Sequence, residues 1–216
     1  MKSKIKICGI KDAAFARRAE ELGADYLGFI FAARSPRRVT PEAAAAIAAT
    51  LAGRVRRVGV FTDTPVSEIL LIAARVPLDV VQLHSLDYGA DEIRSLKAAG
   101  LEVWRLVAAA SHGMPVDAAM TAATGTALPP ADAVLLDGAV GDQRGGTGRQ
   151  ADWSLAAKLS ASGVRVVLAG GISAENAAAA AATGCAILDV NSSLETTPGV
   201  KSIGRLEAFM SAVRSG

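Results

Sequence analysis

Cys8 closes the run Lys4-Ile5-Lys6-Ile7-Cys8-Gly9, which alternates like a strand and stops at a thiol and a glycine. A free cysteine is most often inert apolar packing, so a chemical role needs support from elsewhere in the chain. Asp137 offers some, as a carboxylate at the tip of the apolar run Ala133-Val134-Leu135-Leu136. An aspartate there can simply cap a turn, but a carboxyl approached through a buried strand can also act as an acid. Arg34, Arg37 and Arg38 crowd one short stretch around Ser35-Pro36. Most loop arginines are solvated, yet a guanidinium turned into a pocket suits a substrate carboxylate. Gln82 and His84 share strand parity and so can face the same side; for His84 a satisfied structural histidine is the first reading.

Three further stretches could hold an anion. Residues 139–149 read AVGDQRGGTGR, with Gly145, Gly146 and Gly148 letting the backbone approach a phosphate closely. Their spacing matches a dinucleotide fingerprint on paper, but the loop does not tightly follow its strand and no acidic residue ends the next one. A plain surface loop fits that stretch equally well. Gly170-Gly171, with Ser173 placed to cap the next helix, and Asn191-Ser192-Ser193 are the other two. Together the three stretches point to a phosphorylated substrate.

These residues need a frame that gathers them. Short β-branched runs at 4–8, 26–31, 57–61, 79–84, 102–107, 133–137, 165–169 and 186–190 read as strands. Segments rich in Ala, Leu, Glu and Arg at 12–22, 41–52, 65–74, 90–99, 117–124, 154–160, 174–183 and 202–213 read as helices between them. Gly23, Gly53, Gly100, Gly163 and Gly184 punctuate helix ends. Pro41 and Pro65 each follow a threonine, which predicts a capped start with proline at the first helical position. Strict βα alternation without a linker predicts a single α/β domain over 1–216, a (β/α)8 TIM barrel, with an open doubly wound sheet as the alternative. In a barrel the chemistry belongs at the C-terminal ends of the strands. Cys8, Gln82, His84, Asp137, Gly170-Gly171 and Asn191-Ser193 all stand there.

The same topology makes two geometric predictions. Lys6 shares the parity of Cys8, points into the barrel and needs a counter-charge, for which Asp189 on the closing strand is the candidate. Cys185 begins the eighth strand while Cys8 ends the first, about 15 Å away at a rise of ~3.3 Å per residue, so both thiols should be free.

Bulk properties narrow the class. The chain is 51% hydrophobic but only 4% aromatic, so its core must be chiefly Ala, Val, Leu and Ile. With 23 basic and 21 acidic residues and no like-charged block, no nucleic-acid or membrane footprint is expected. No signal-peptide core follows Lys2, and the greasy stretch at 177–188 is too short to span a bilayer, so a cytoplasmic location is expected. Two histidines and two cysteines predict no metal. Few exposed apolar residues are expected on the Ala-rich helices, which favours a monomer and leaves a dimer open.

Read in order, KICGI, DYLGFIF with SPR, RVGVF, DVVQLH, LLDG, GGTGR, DWSL, LAGGI with ENAAAA, and LDVNSS…PGVKS span the chain from first strand to last helix. This pattern resembles the phosphoribosylanthranilate isomerases of tryptophan biosynthesis. The resemblance implies an Amadori rearrangement by general acid–base catalysis, with no cofactor and no metal. It implies Cys8 as base, Asp137 as acid, and Arg37 as the ligand of the anthranilate carboxylate. It puts the phosphate on Gly145–Gly148, Gly170–Gly171 and Asn191–Ser193; Gln82 and His84, taken from strand parity, are expected to bind substrate. One departure stands out: the family commonly has glycine where this chain has Ser193, which would be strained if the position needs a positive φ. A related histidine-pathway isomerase would use two aspartates, and an aldolase would need a lysine at a strand end. A non-catalytic barrel would leave the pairing of Cys8 with Asp137 unexplained.

Overall fold

The computed structural model describes residues 2–107, 131–138 and 151–215. The helix expected over 117–124 and the loop carrying Gly145, Gly146 and Gly148 lie outside the described residues. Eight parallel strands close into a barrel in chain order. They are β1 (Lys4–Cys8), β2 (Tyr26–Ile30), β3 (Arg56–Phe61), β4 (Val80–Leu83), β5 (Glu102–Leu106), β6 (Ala133–Leu136), β7 (Val166–Leu168) and β8 (Ile187–Val190). Every expected strand is present within a residue or two of its expected ends, and the open-sheet alternative is excluded by the pairing of β1 with β8.

Alternation along each strand splits the apolar residues between two cores. Tyr26, Val58, Val80, Trp104, Leu135, Val167 and Ile187 pack together inside the barrel, and the Tyr26 and Trp104 rings meet edge to face at 5.0 Å. Neighbours of opposite parity, such as Leu27, Phe29 and Val81, join the larger shell packed against the helices. Because β1 lies between β2 and β8, Lys6 is level with Tyr26 on one side and Asp189 on the other. At the N-terminal end Glu102 accepts from Trp104 Nε1, Arg56 and Arg165, closing the barrel bottom with charge pairs.

The helix ends bear out most of the expected signals and correct two. Thr40 accepts from the Ala43 amide at 3.2 Å, with Pro41 in the first turn. Thr64 does not cap the next helix: Pro65, in extended conformation, is itself the residue before Val66–Arg75 and offers no side-chain cap. The helix after β7 is only Ala177–Ala181, with Asn176 before it rather than Ser173. There Asn176 Oδ1 accepts from the Ser173 amide and Nδ2 donates to the Gly171 carbonyl, so polar bonding of the loop delays the helix. The five punctuating glycines all have φ between 74° and 82°.

One element was not expected. After β8 a single 3-10 turn (Ser192–Leu194) leads into a small antiparallel hairpin, β9 (Glu195–Thr197) and β10 (Val200–Lys201). It lies outside the barrel and leads into the helix Ile203–Ser215.

Candidate active site

At the C-terminal mouth of the barrel a cavity of about 480 Å³ is lined by Cys8, Arg37, Gln82, His84, Asp137, Gly170, Gly171, Asn191 and Ser192, together with Asp189. Its size suits one small ligand. The cavity therefore gathers every described site residue expected from the sequence except Ser193.

Cys8 faces inward because β1 alternates and because β2 offers no side chain opposite it. Its register partner is Gly28, where a Cβ would stand 2.8 Å from Cys8 Sγ. Beneath the thiol, Lys6 has no exposed surface, and its Nζ lies 2.5 Å from Asp189 Oδ2. The expected ion pair is present. Burial works against the Lys6 charge, but Asp189 and Cys8 outweigh it and raise the ammonium above its ordinary value. Burial also pushes the Cys8 thiol up; Lys6 pulls it back, Asp189 pushes it further, and Lys201 pulls it down. Burial wins, and the thiol lies above its ordinary value. Cys8 and Cys185 are both free and buried, as their strand positions require.

On the opposite wall His84 Nε2 lies 3.5 Å from Asp137 Oδ2, and His84 Nδ1 lies 3.4 Å from Gln82 Nε2. With the Gln82 amide in this orientation its nitrogen donates to Nδ1, and Nε2 is the ring nitrogen that faces Asp137. Gln82 Oε1 and Asp189 Oδ1 are buried without a protein partner among the described residues, and both residues face the cavity.

Of the three arginines in the β2 loop, Arg34 and Arg38 are exposed and Arg37 is buried. Ser35 Oγ accepts from the Arg37 amide and shapes the turn. The Arg37 side chain passes over Gly9, where a Cβ would stand 3.2 Å from Arg37 Cδ and 2.8 Å from Asn191 Oδ1. Gly9 also has φ 75°, so this position is closed to other residues on both counts. Arg37 Nε and Nη2 each donate to Glu195 at 2.8 Å, a partner that the sequence did not announce.

The anion side is built from two described loops. Gly170 and Gly171, with φ of 85° and 68°, fold the chain after β7 over the cavity. Asn191 and Ser192 line it from β8, where the Asn191 carbonyl and Oδ1 accept from Lys201 Nζ. Ser193 is not at the cavity wall; its hydroxyl donates to the Ile172 carbonyl at 2.6 Å and ties the two loops together. Its φ is not positive, so serine there carries none of the strain the sequence left open.

Sequence reasoning missed Gly28, Glu195 and Lys201. Gly28 had a signal, since it faces Cys8 by strand parity. The other two sit on a hairpin too short to show a period. Among the described residues no group of three or more His, Cys, Asp or Glu side chains could hold a metal. No helix there is long and apolar enough to cross a membrane.

The closed eight-stranded barrel, with a thiol, a carboxyl and a buried guanidinium around one pocket at its strand ends, makes this a (β/α)8-barrel protein with a polar pocket where that fold places its sites. A family model described as N-(5′phosphoribosyl)anthranilate (PRA) isomerase matches residues 5–212. An N-(5′-phosphoribosyl)anthranilate isomerase of Rubrobacter xylanophilus is 39% identical over 214 residues, 99% of this chain and 100% of that protein. One of Granulibacter bethesdensis is 37% identical over 218 residues, the whole of both chains. The crystal structure of the enzyme from Thermus thermophilus superposes with a TM-score of 0.82 at 36% identity, covering 98% of each chain. Another, at 30% identity and TM-score 0.79, covering 99% of this chain and 100% of that one, is a complex with reduced 1-(o-carboxyphenylamino)-1-deoxyribulose 5-phosphate. The chain belongs to the phosphoribosylanthranilate isomerase family.

Proposed function

We propose that this protein isomerises N-(5′-phosphoribosyl)anthranilate to 1-(2-carboxyphenylamino)-1-deoxyribulose 5-phosphate in tryptophan biosynthesis, with Cys8 as general base and Asp137 as general acid. The observation that carries this reading is the convergence of Cys8, Asp137 and Arg37 on one cavity in a chain of this family. Asp137 protonates the furanose ring oxygen; the C1′–O bond breaks and the nitrogen lone pair forms an iminium. Cys8, as thiolate, removes the proton from C2′, and the electron pair left there neutralises the iminium to an enolamine. Tautomerisation with protonation at C1′ leaves the ketone at C2′. C2′ is oxidised and C1′ reduced within one molecule, an intramolecular redox change.

The raised thiol value fits this chemistry. Its thiolate is scarce but is a stronger base for being so, and the iminium beside C2′ acidifies the carbon acid it attacks. Arg37 takes the anthranilate carboxylate. The phosphate lies against Gly170–Gly171 and Asn191–Ser192, and the family resemblance assigns Gly145, Gly146 and Gly148 to the same ligand. Gln82 Oε1, buried and facing the cavity, accepts from a substrate hydroxyl. We read residues 1–216 as one catalytic domain, a cytoplasmic monomer; that large apolar side chains are exposed at only four described positions, Leu71, Leu86, Val200 and Ile203, supports the monomer.

A coupled assay with anthranilate, phosphoribosyl pyrophosphate and the preceding transferase tests the activity. Arg37→Ala should raise KM by about tenfold or more, the scale of a lost charge-assisted bidentate contact. Arg34→Ala and Arg38→Ala should stay near the parent value. A crippled Arg34→Ala beside a normal Arg37→Ala would put the carboxylate elsewhere.

A further inference from the structure

Glu195 and Lys201 take no part in the proton transfers and do not line the cavity, but their side chains bind two residues that do, Arg37 and Asn191. Glu195 is 5% exposed and the Lys201 side chain 5%. Glu195 holds Arg37 through two bonds of 2.8 Å, accepts from Lys201 at 3.1 Å, and faces Lys201 across the hairpin. Lys201 also clamps Asn191 from behind at 2.6 and 2.9 Å. The hairpin seats against the Arg37 loop at Gly199, where a Cβ would stand 2.8 Å from the Pro36 carbonyl.

We infer that Glu195 and Lys201 are positioning residues which fix Arg37 so that its outer edge grips the substrate carboxylate. The inference rests on the reading of Arg37 as the carboxylate ligand.

A guanidinium carries five N–H donors. The edge formed by Nε and Nη2 is bound to Glu195, which leaves both Nη1 hydrogens and one on Nη2 as a second fork. One arginine thus serves two carboxylates, a resident one that sets the plane of the guanidinium and a substrate one that docks in that plane. Charge supports the division. Two cations share one resident carboxylate, leaving a single positive charge for the ligand to neutralise. Burial pushes Glu195 up, but Arg37 and Lys201 outweigh it and hold its carboxyl below the ordinary value, so it stays ionised in the working range. Without it, Arg37 and Lys201 would face each other unpaired and the side chain would lose its fixed plane.

A hairpin anchor would make the same bonds, and ligand binding separates the two roles. Binding is measured for reduced 1-(o-carboxyphenylamino)-1-deoxyribulose 5-phosphate and for its phenylamino counterpart without the carboxylate. The proteins are the parent, Glu195→Gln, Lys201→Gln, Arg37→Ala and the double variant Arg37→Ala/Glu195→Gln. Glu195→Gln should weaken the carboxylate ligand about tenfold and the counterpart by less than about twofold, with no further loss once Arg37 is absent. Lys201→Gln should repeat the pattern more weakly. Equal losses for both ligands, or additive losses in the double variant, would make Glu195 an anchor of the hairpin and overturn the inference. If the parent binds both ligands alike, or Arg37→Ala binds the first as the parent does, the Arg37 reading falls and the inference with it.

Discussion

Lys6 keeps its charge at the centre of a barrel because Asp189 lies level with it on the neighbouring strand. Removing one partner of a buried pair costs about 3–5 kcal/mol, and in a protein of this size each kcal/mol shifts Tm by roughly 2–4 °C. Lys6→Met should therefore lower Tm by roughly 6–20 °C, where a surface lysine change does nothing comparable. Asp189 is already raised by burial, against the pull of Lys6. A carboxyl whose folded value is raised stabilises at low pH and loses that contribution as pH rises. The deficit of Lys6→Met should accordingly be larger at neutral pH than near pH ~4. The same variant removes the cation that pulls the Cys8 thiol down. Alkylation of Cys8 by iodoacetamide should reach its half-maximal rate above 9.0 in the parent and at still higher pH in Lys6→Met. A Tm and an alkylation profile that match the parent would mean that Lys6 is solvated.

Among the elements, β1 and β2 act as a unit: the thiol occupies space that Gly28 leaves empty. Gly28→Ala would force Sγ aside, and a displacement of about 1 Å can cost on the order of 100-fold in rate. We expect kcat to fall by about 10–100-fold with KM little changed; a variant with parental kcat would mean that Sγ has room to spare. All eight strands were legible in the sequence, because β-branched runs such as Val58-Gly59-Val60 and Val80-Val81 stand out against Ala-rich helices. Parity then gave Lys6 with Asp189, and polar strand ends gave the cavity wall. The hairpin of β9 and β10 was not legible, since strands of three and two residues show no period. Nor was the bond from Arg37 to Glu195, 158 residues away and outside the barrel register. The depression or elevation of a titrating group was hidden for a related reason: the Cys8 value depends on burial depth, which a strand end does not announce.

Over the whole molecule, acid sensitivity follows from carboxylates placed where cations or amides meet them. Burial raises Glu20, Glu102, Asp132 and Glu195, but other contacts outweigh it in each case. Glu20 accepts from the amides of Ala52 and Arg54, Glu102 from Trp104, Arg56 and Arg165, and Asp132 from Lys97 and the Val103 amide. All four lie below their ordinary values of 4.5 for Glu and 3.8 for Asp. The unfolded chain then binds more protons than the folded one in that range, so stability rises with pH through it. Tm should hold steady from about pH 7 to 5 and fall steeply below about 4.5. A melting temperature unchanged down to pH ~3 would remove these contacts from the stability of the fold.

Steady-state kinetics of Cys8→Ala and Asp137→Asn read directly whether these two side chains move the protons. General acid–base groups contribute about 10²–10⁴-fold each. Both variants should lose kcat on that scale while keeping the parental melting temperature range and affinity for the reduced product analogue. Cys8→Ser should also be poor, because a hydroxyl is far less ionised than a thiol. A Cys8→Ala protein that retains near-parental kcat would contradict the account and return this thiol to packing.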